Sequence, residues 1–239
     1  MSSPMVFKRY EIKYLLTREQ KDAVMAAMAD HMEPDSFGRS TIRNIYYDTD
    51  NYRLVRRSLE RPIYKEKLRV RSYHTAKPED EVFIELKKKF NSVVYKRRTG
   101  ICEKQAAAYL AGKVPAPNPC QITNEIDYFL QFYKTLAPKV FLSYEREAFF
   151  DKDNSEFRVT FDENILWRTT DMSLEAGVYG ENILKPGQTL MEIKTSGGIP
   201  LWMVDVLTVQ KLQKTSFSKY GNAYMTIFER EKEEEEAYA

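Results

Sequence analysis

Residues 66–71 read EKLRVR, and residues 82–89 read VFIELKKK. In both stretches charged and apolar residues alternate with a period of two, which is the period of a β-strand. The alternation predicts two strands that each have an apolar face and a charged face. The alternation indicates a fold built on β-strands. Because the charged faces are rich in Arg and Lys, they also indicate an anionic ligand.

The same pattern recurs along the chain. It predicts nine strands, at 7–16, 40–47, 65–73, 81–89, 92–101, 139–149, 156–162, 165–169 and 189–195. Helical patterns occupy 19–31, 103–111, 122–136, 200–211 and 218–230, and Thr17 with Gln20 predicts a capping box before the first of them. We therefore predict an α+β fold with a dominant antiparallel sheet, for which a closed or nearly closed barrel is the natural architecture.

Length and composition restrict the class of protein. With 239 residues, 43% hydrophobic and 30% charged, the chain can bury a substantial core. We expect residues 1–230 to form a single domain and the acidic tail 231–239 to be flexible. Two Cys and two His make a disulfide framework, a zinc site or a Ser-His-Asp hydrolase improbable. Since the sequence has no secretory or membrane-spanning pattern, we expect a cytoplasmic protein.

The net charge of +2 hides two unequal regions. Residues 39–98 contain 17 Lys or Arg and only 8 Asp or Glu, whereas the rest of the chain is acidic. Such an imbalance indicates that one surface attracts a strongly anionic partner.

The charged strand faces could simply face water, as they do in many antiparallel sheets. The amphipathic helices, however, need an apolar surface to cover, and covering the apolar strand faces would leave the charged faces pointing inward. A dry interior with so many cations would be very costly. We therefore predict a wet cavity that receives a polyanion, for which phosphate chains are suited because guanidinium groups bind phosphate oxygens in pairs.

Carboxylates recur among these cations. Glu11, Glu85 and Glu192 each precede a Lys by two residues, on three different predicted strands. A carboxylate beside a bound polyanion is unfavourable unless a divalent cation joins the two. The pattern therefore predicts that these three glutamates bind a divalent cation.

The sequence resembles the VTC domain, the polyphosphate-polymerase branch of the triphosphate tunnel metalloenzymes, which are related to the CYTH proteins. The resemblance covers roughly residues 7–228. Its motifs, in the family's order, are RYEIKY at 9–14, IYYDT at 45–49, LRVR at 68–71, FIELK at 83–87, YEREAF at 144–149, RVTFD at 158–162, EIK at 192–194 and SFSKY at 216–220.

The resemblance implies an eight-stranded antiparallel barrel, the triphosphate tunnel, with helices packed outside and a bound Mn²⁺ or Mg²⁺. Glu192 matches the family's metal-binding glutamate. The expected catalytic cations are Lys13, Arg69, Arg71, Lys87, Arg146 and Arg158. The alternation and the resemblance together add as substrate-binding residues Lys67, Lys96, Arg98, Lys194, Lys219 and Arg9.

The chain departs from the family pattern at several positions. Arg9 replaces the first glutamate of the CYTH signature, and Ser216 replaces a lysine for which Lys214 is the nearest substitute. Among Arg53, Arg56, Arg57 and Arg61, the sequence does not choose which one reaches the tunnel. Eukaryotic VTC chains carry a phosphate-sensing domain and membrane helices that this sequence lacks, so transport of a product would need a membrane-protein partner.

Together these features predict metal-dependent phosphoryl transfer on ATP, another triphosphate or polyphosphate, foremost polyphosphate synthesis from ATP. An inorganic or nucleoside triphosphatase is the alternative, with Glu11 or Glu85 orienting water. A second alternative is a sensor that binds polyphosphate or a nucleotide without catalysing a reaction. Nucleic acid is an unlikely partner, because Ile84, Tyr95 and Phe161 fall on the strand faces opposite the cations.

Overall fold

The computed structural model of the chain describes residues 10–91 and 93–237. Arg9, the first residues of the predicted strand 7–16 and the last two residues of the acidic tail lie outside the described residues. No helix in the described ranges is long and apolar enough to cross a membrane.

The elements follow one another in chain order within those ranges. They are β1 (Tyr10–Leu16), α1 (Arg18–Met28), β2 (Met32–Pro34), β3 (Ser40–Asp48), α2 (Arg53–Leu59), β4 (Tyr64–Ser72), β5 (Glu81–Phe90), β6 (Val93–Cys102), α3 (Glu103–Leu110), α4 (Gln121–Tyr133), β7 (Ala137–Asp151), β8 (Arg158–Arg168), β9 (Glu181–Asn182), β10 (Thr189–Thr195), α5 (Leu201–Val209), β11 (Lys214–Thr215) and α6 (Lys219–Ala237).

The strands form an antiparallel sheet in the order β11-β1-β10-β8-β7-β3-β4-β5-β6, with β2 on β7 and β9 on β8. The α+β class and the dominant antiparallel sheet are thus confirmed. Among the described residues, eight strands have seven or more residues, and the other three have two or three. Closure of the eight long strands into a barrel stays a prediction.

Two predicted strands are one in the structure. β8 runs without interruption from Arg158 to Arg168, whereas the sequence predicted a break between 162 and 165. Asn164 lies inside it with φ at 47°. Asn tolerates this left-handed conformation, so the strand continues through it.

Helix α2 was not predicted, because its start depends on residues outside it. The backbone N–H groups of Leu54 and Val55 donate to the Asp48 carboxylate at 2.8 and 2.9 Å. The Tyr220 hydroxyl, from α6, donates to the same carboxylate at 2.9 Å. Asp48 therefore caps α2 and anchors α6.

The start of the first helix and the end of the last helix can both be compared with the sequence predictions. At α1 the capping box is confirmed, since Gln20 N donates to Thr17 Oγ1 and Thr17 N donates to Gln20 Oε1. Helix α6 continues to Ala237, so the described part of the acidic tail is helical, with exposed side chains.

The chain folds into two compact units, which are described separately. The first unit contains the described residues up to Thr41 together with Tyr144–Ile165 and Asn182–Phe217. Its core joins α1 and α5 to the apolar faces of β1, β8 and β10. The buried residues are Tyr14, Leu16, Val24, Met28, Met32, Phe157, Val159, Phe161, Met191, Ile193, Met203 and Leu207.

The second unit contains Ile42–Ser143, Leu166–Glu181 and the described residues from Ser218 onward. Its core packs α3 and α4 on the apolar faces of β4, β5 and β6, through Leu68, Val70, Val82, Ile84, Leu86, Ile101, Leu110, Ile126 and Phe129. In both units, helices therefore cover the apolar strand faces, as the alternation predicted, and the charged faces are left on the opposite side.

Candidate functional site

In the second unit, the charged residues of three neighbouring strands lie side by side. The register places Arg69 opposite Glu85, and Glu85 opposite Arg98. One step along the strands, Lys87 lies opposite both Lys67 and Lys96. We call the cations that share this side of the strands the β4–β6 cationic face: Lys67, Arg69, Arg71, Lys87, Lys96 and Arg98.

Glu85 lies at the centre of this face and is only 1% exposed. Its Oε2 is 2.7 Å from Arg69 Nη2, and its Oε1 is 2.7 Å from Lys96 Nζ. The Nε atoms of Arg71 and Arg98 each lie 3.9 Å from one of its oxygens. Burial opposes ionisation of Glu85, but Arg69, Arg71 and Lys96 outweigh it and hold the pKa of this carboxyl well below its usual range.

Two side chains of β3 hold the arginines of this face. Arg69 Nη1 donates to the Tyr46 hydroxyl at 2.9 Å, and Arg71 Nε donates to Asn44 Oδ1 at 2.9 Å. Burial would raise the pKa of Tyr46, but Arg69, Lys67 and Arg71 lower it to about 8. Tyr46 was not a predicted site residue. Its ring is buried, but its hydroxyl is part of the polar site.

The remaining lysines of the second unit lie near the start of α6. Lys67 Nζ donates to Ser218 Oγ at 3.3 Å. Lys219, the first residue of α6, is buried, and Lys87 is partly buried on the cationic face.

The structure places the four arginines that the sequence left undecided around α2. Arg53, Arg56 and Arg57 lie on this helix and Arg61 follows it, and all four are exposed. The Arg53 guanidinium lies 5.6 Å from the centre of the Tyr133 ring.

The first unit has a second cluster, centred on Glu192, which is 5% exposed. Its Oε1 lies 3.4 Å from Lys13 Nζ, while its Oε2 lies 3.4 Å from Arg146 Nη2 and 3.5 Å from Lys194 Nζ. Lys13 also lies 3.3 Å from Glu11. We call Glu11, Lys13, Arg146, Asp162, Glu192 and Lys194 the Glu192 cluster.

Arg146 could not be placed by alternation, because β7 has charged residues on both faces. In the structure its Nε and Nη2 donate to the two Asp162 oxygens at 2.6 and 2.7 Å. Burial would lower the pKa of Arg146, but Tyr144, Asp162 and Glu192 raise it well above its usual value. The guanidinium is thus fixed in place, and Asp162, which was not a predicted site residue, is what fixes it.

Lys194 and Arg158 lie opposite each other on β10 and β8. Burial lowers the pKa of Lys194 to about 8, against the opposing effect of Glu192. Arg158 is exposed, and its Nε donates to the Ser155 carbonyl at 3.1 Å. Arg158 therefore belongs to the same strand face but is more open to solvent than its neighbours.

The predicted metal ligands do not all come together. Glu11 and Glu192 both lie beside Lys13, whereas Glu85 belongs to the other unit and is surrounded by cations. Within the described ranges, no three Asp, Glu, His or Cys side chains form a metal-binding group. Mg²⁺ is nevertheless commonly held by one or two carboxylates together with substrate phosphates, and Glu192 with Glu11 fits that donor set.

The chain is similar to known proteins over most of its length. A scan against family models matches the VTC domain to residues 8–228. Among curated proteins there is no match.

Solved structures with the same fold include two candidate cyclases. One, from Bacillus halodurans, has a TM-score of 0.53 at 13% identity, over 89% of this chain and 94% of its own. The other, from Hippeastrum, is described as having a dominant triphosphatase activity and has a TM-score of 0.54 at 11% identity, over 88% of this chain and 93% of its own. At such low identity these similarities show the fold alone.

Proposed function

This chain belongs to the VTC domain family, and from that premise we propose that it transfers phosphoryl groups on triphosphate or polyphosphate, with polyphosphate synthesis from ATP as its reaction. Membership in the family implies a domain that handles triphosphates. The finer assignment, to a polymerase, is supported by the resemblance to the polyphosphate-polymerase branch, since the cations described above suit both phosphoryl transfer to a chain and hydrolysis.

The observation that carries the proposal is the β4–β6 cationic face. It presents three guanidinium groups and three ammonium groups on neighbouring strands, with one carboxylate among them. Phosphate chains carry negative charge at regular intervals, so a row of cations along strands matches them better than it matches a single carboxylate ligand. Arg69 and Arg71 are held by Tyr46 and Asn44, which fixes their direction before a ligand arrives.

The chemistry requires positioning and charge neutralisation more than a protein nucleophile. The terminal phosphate of a growing chain is already ionised near neutral pH, and its oxygen can attack the γ-phosphorus of ATP in line. The bond from that phosphorus to the β,γ-bridging oxygen then breaks, ADP leaves and the chain is one phosphate longer. The role of Arg69, Arg71 and Arg146 is to bind the phosphoryl oxygens on which charge develops. Lys13, Lys87 and Arg158 add charge along the same path.

A divalent cation belongs to this proposal. Glu192, with Glu11, would hold Mg²⁺ or Mn²⁺, and the bound ion would neutralise phosphate oxygens. Glu85, which has four cations around its carboxylate, is better suited to be their internal counter-ion than a metal ligand.

The proposal includes the architecture that the sequence predicted. The eight long strands would close into a tunnel lined by charged strand faces, with Lys67, Lys96, Arg98, Lys194, Lys219 and Arg9 as further phosphate contacts. A cytoplasmic location and a membrane-protein partner for product transport are parts of the same proposal.

Hydrolysis is the second candidate. The candidate adenylyl cyclase from Hippeastrum, which shares the fold, is described as a dominant triphosphatase. Water in place of the attacking phosphate would produce that reaction on the same cations, with Glu11 as the group that orients it.

One assay separates these reactions. Purified protein is incubated with ATP and Mn²⁺, and the products are resolved by ³¹P NMR. Chains of phosphate support the proposal, orthophosphate with ADP supports the triphosphatase, and unchanged ATP despite binding indicates a sensor and contradicts the proposed catalysis.

Two variants with one control test the residue assignments. We expect Glu192→Gln to abolish turnover and Arg69→Ala to weaken binding. The matched control is Arg97→Ala, because Arg97 neighbours Arg98 on β6 but lies on the other face, where its Nε donates to Glu125 at 3.1 Å. Equal losses in all three variants would show that the polar face has no special role.

A further inference from the structure

The β4–β6 cationic face ends in two aromatic rings. Phe83 precedes Glu85 by two residues on the same face of β5, and it lies opposite Arg71 on one side and Gly100 on the other. Tyr73 comes directly after β4. The two rings meet edge to face, with centres 5.8 Å apart and planes at 67°.

Guanidinium groups connect these rings to the cationic face. The Arg98 guanidinium carbon lies 3.5 Å from the centre of the Phe83 ring and 5.4 Å from that of Tyr73. The Arg71 guanidinium carbon lies 6.0 Å from the Tyr73 ring. The Nε of Arg98 is buried and has no hydrogen-bond partner in the part of the chain that the structure describes.

Packing alone does not account for this arrangement. Tyr73 is 40% exposed, so its ring still offers apolar surface to solvent next to cations. The residues weighed against nucleic-acid binding in the sequence, such as Ile84 and Tyr95, lie on the opposite face of these strands. Phe83 and Tyr73 instead accompany the cations, which is the arrangement that nucleotide recognition requires.

We propose that Tyr73 and Phe83 form a stacking platform for the base of a nucleoside triphosphate whose phosphates lie on the β4–β6 cationic face. This inference rests on the proposed function, in which ATP is the phosphoryl donor, and it adds the residues that would bind the base of that donor. Successive residues on one strand face are about 7 Å apart, so Tyr73 lies one such step beyond Arg71. A ribose can span that distance between an α-phosphate bound at Arg71 and a base at Tyr73.

Arg98 would serve both ends of the ligand. Its guanidinium carbon lies 3.5 Å from the centre of the Phe83 ring, and its N–H groups would donate to the phosphate next to the base. A platform of this kind tolerates different bases, because every base has a π-face. ATP and GTP are therefore both expected to gain affinity from it.

The test compares ATP with inorganic triphosphate, which has no base. Dissociation constants are measured by isothermal titration calorimetry in EDTA, so that neither ligand turns over. For Tyr73→Leu we expect the Kd of ATP to rise by about 5-fold or more, the loss expected for one base stack, with the Kd of triphosphate unchanged. Tyr73→Phe, which keeps the ring, should bind ATP like the unaltered protein.

Tyr128→Leu is the matched control, because Tyr128 is a 67% exposed aromatic residue of α4, on the helical side of the second unit. Equal weakening of both ligands by Tyr73→Leu would mean a structural effect and would overturn the platform, as would unchanged ATP binding. If the unaltered protein binds neither ligand, the proposed function itself fails. If it binds both, and only the Tyr73 effect is missing, the proposed function stands and the platform alone is rejected.

Discussion

The buried Glu85 offers the most direct test of how the cationic face is built. Replacing it by Gln keeps the volume of the side chain and removes its charge. Arg69, Arg71, Lys96 and Arg98 then lose a shared counter-ion that lies 2.7 to 3.9 Å from them. We therefore expect Glu85→Gln to destabilise the protein without ligand, and a bound polyanion to restore part of the loss.

The size of the effect follows from burial. Removing one partner of a buried ion pair typically costs about 3–5 kcal/mol. The Lys96 side chain is 45% exposed, so its part is discounted for screening, whereas Arg71 is 8% exposed. We expect a loss of about 3 kcal/mol, a large fraction of the 5–15 kcal/mol (roughly) that stabilises a typical domain.

The effect also has a predictable pH dependence. The pKa of Glu85 is depressed in the folded protein, so its contribution is present above the unfolded-state pKa of about 4.3 and is lost as pH falls below it. The difference between the unaltered protein and Glu85→Gln should therefore shrink in acid.

Urea unfolding followed by circular dichroism measures this difference, with and without inorganic triphosphate. Glu125→Gln is the control, because Glu125 forms a more exposed pair with Arg97 and should cost no more than about 1 kcal/mol. The reasoning is refuted if Glu85→Gln unfolds at the same urea concentration as the unaltered protein, or if triphosphate widens the difference instead of narrowing it.

Two further predictions concern charge. Because the pKa values of Lys194 and Tyr46 are both about 8, the first loses positive charge and the second gains negative charge above that pH. Above pH 8 the Kd of triphosphate should therefore rise by up to about tenfold per pH unit for each group. Binding titrations from neutral to alkaline pH, repeated with Tyr46→Phe, measure this rise. A Kd that does not change with pH would contradict the prediction. Asp162→Asn should cost about 3 kcal/mol in urea unfolding, because it leaves the Arg146 guanidinium without its bidentate partner; an unchanged midpoint would show that Glu192 replaces it fully.

Alternation predicted the cationic face because it needs only local information. Once β4 and β5 are strands, a period of two decides which residues share a face, and Arg69, Arg71 and Lys87 follow from that. The same rule placed Glu192 beside Lys194 on β10.

Features that depend on distant parts of the chain could not be found in this way. Helix α2 begins where Asp48 accepts its N–H groups, and the placing of Arg146 depends on Asp162. The role of Tyr46 in the polar site was also missed, because the sequence alone does not show that its hydroxyl accepts a hydrogen bond from Arg69.

The link between Asp48 and Tyr220 has a practical consequence for anyone who shortens this chain. Tyr220 donates to Asp48 and stacks on Tyr46, with ring centres 4.7 Å apart. A truncation that removes it would take away one of the hydrogen bonds of a buried carboxylate, and also the ring that packs on Tyr46, whose hydroxyl accepts a hydrogen bond from Arg69. A shortened or fused version of the protein should therefore keep α6 in full, including its highly charged C-terminal part.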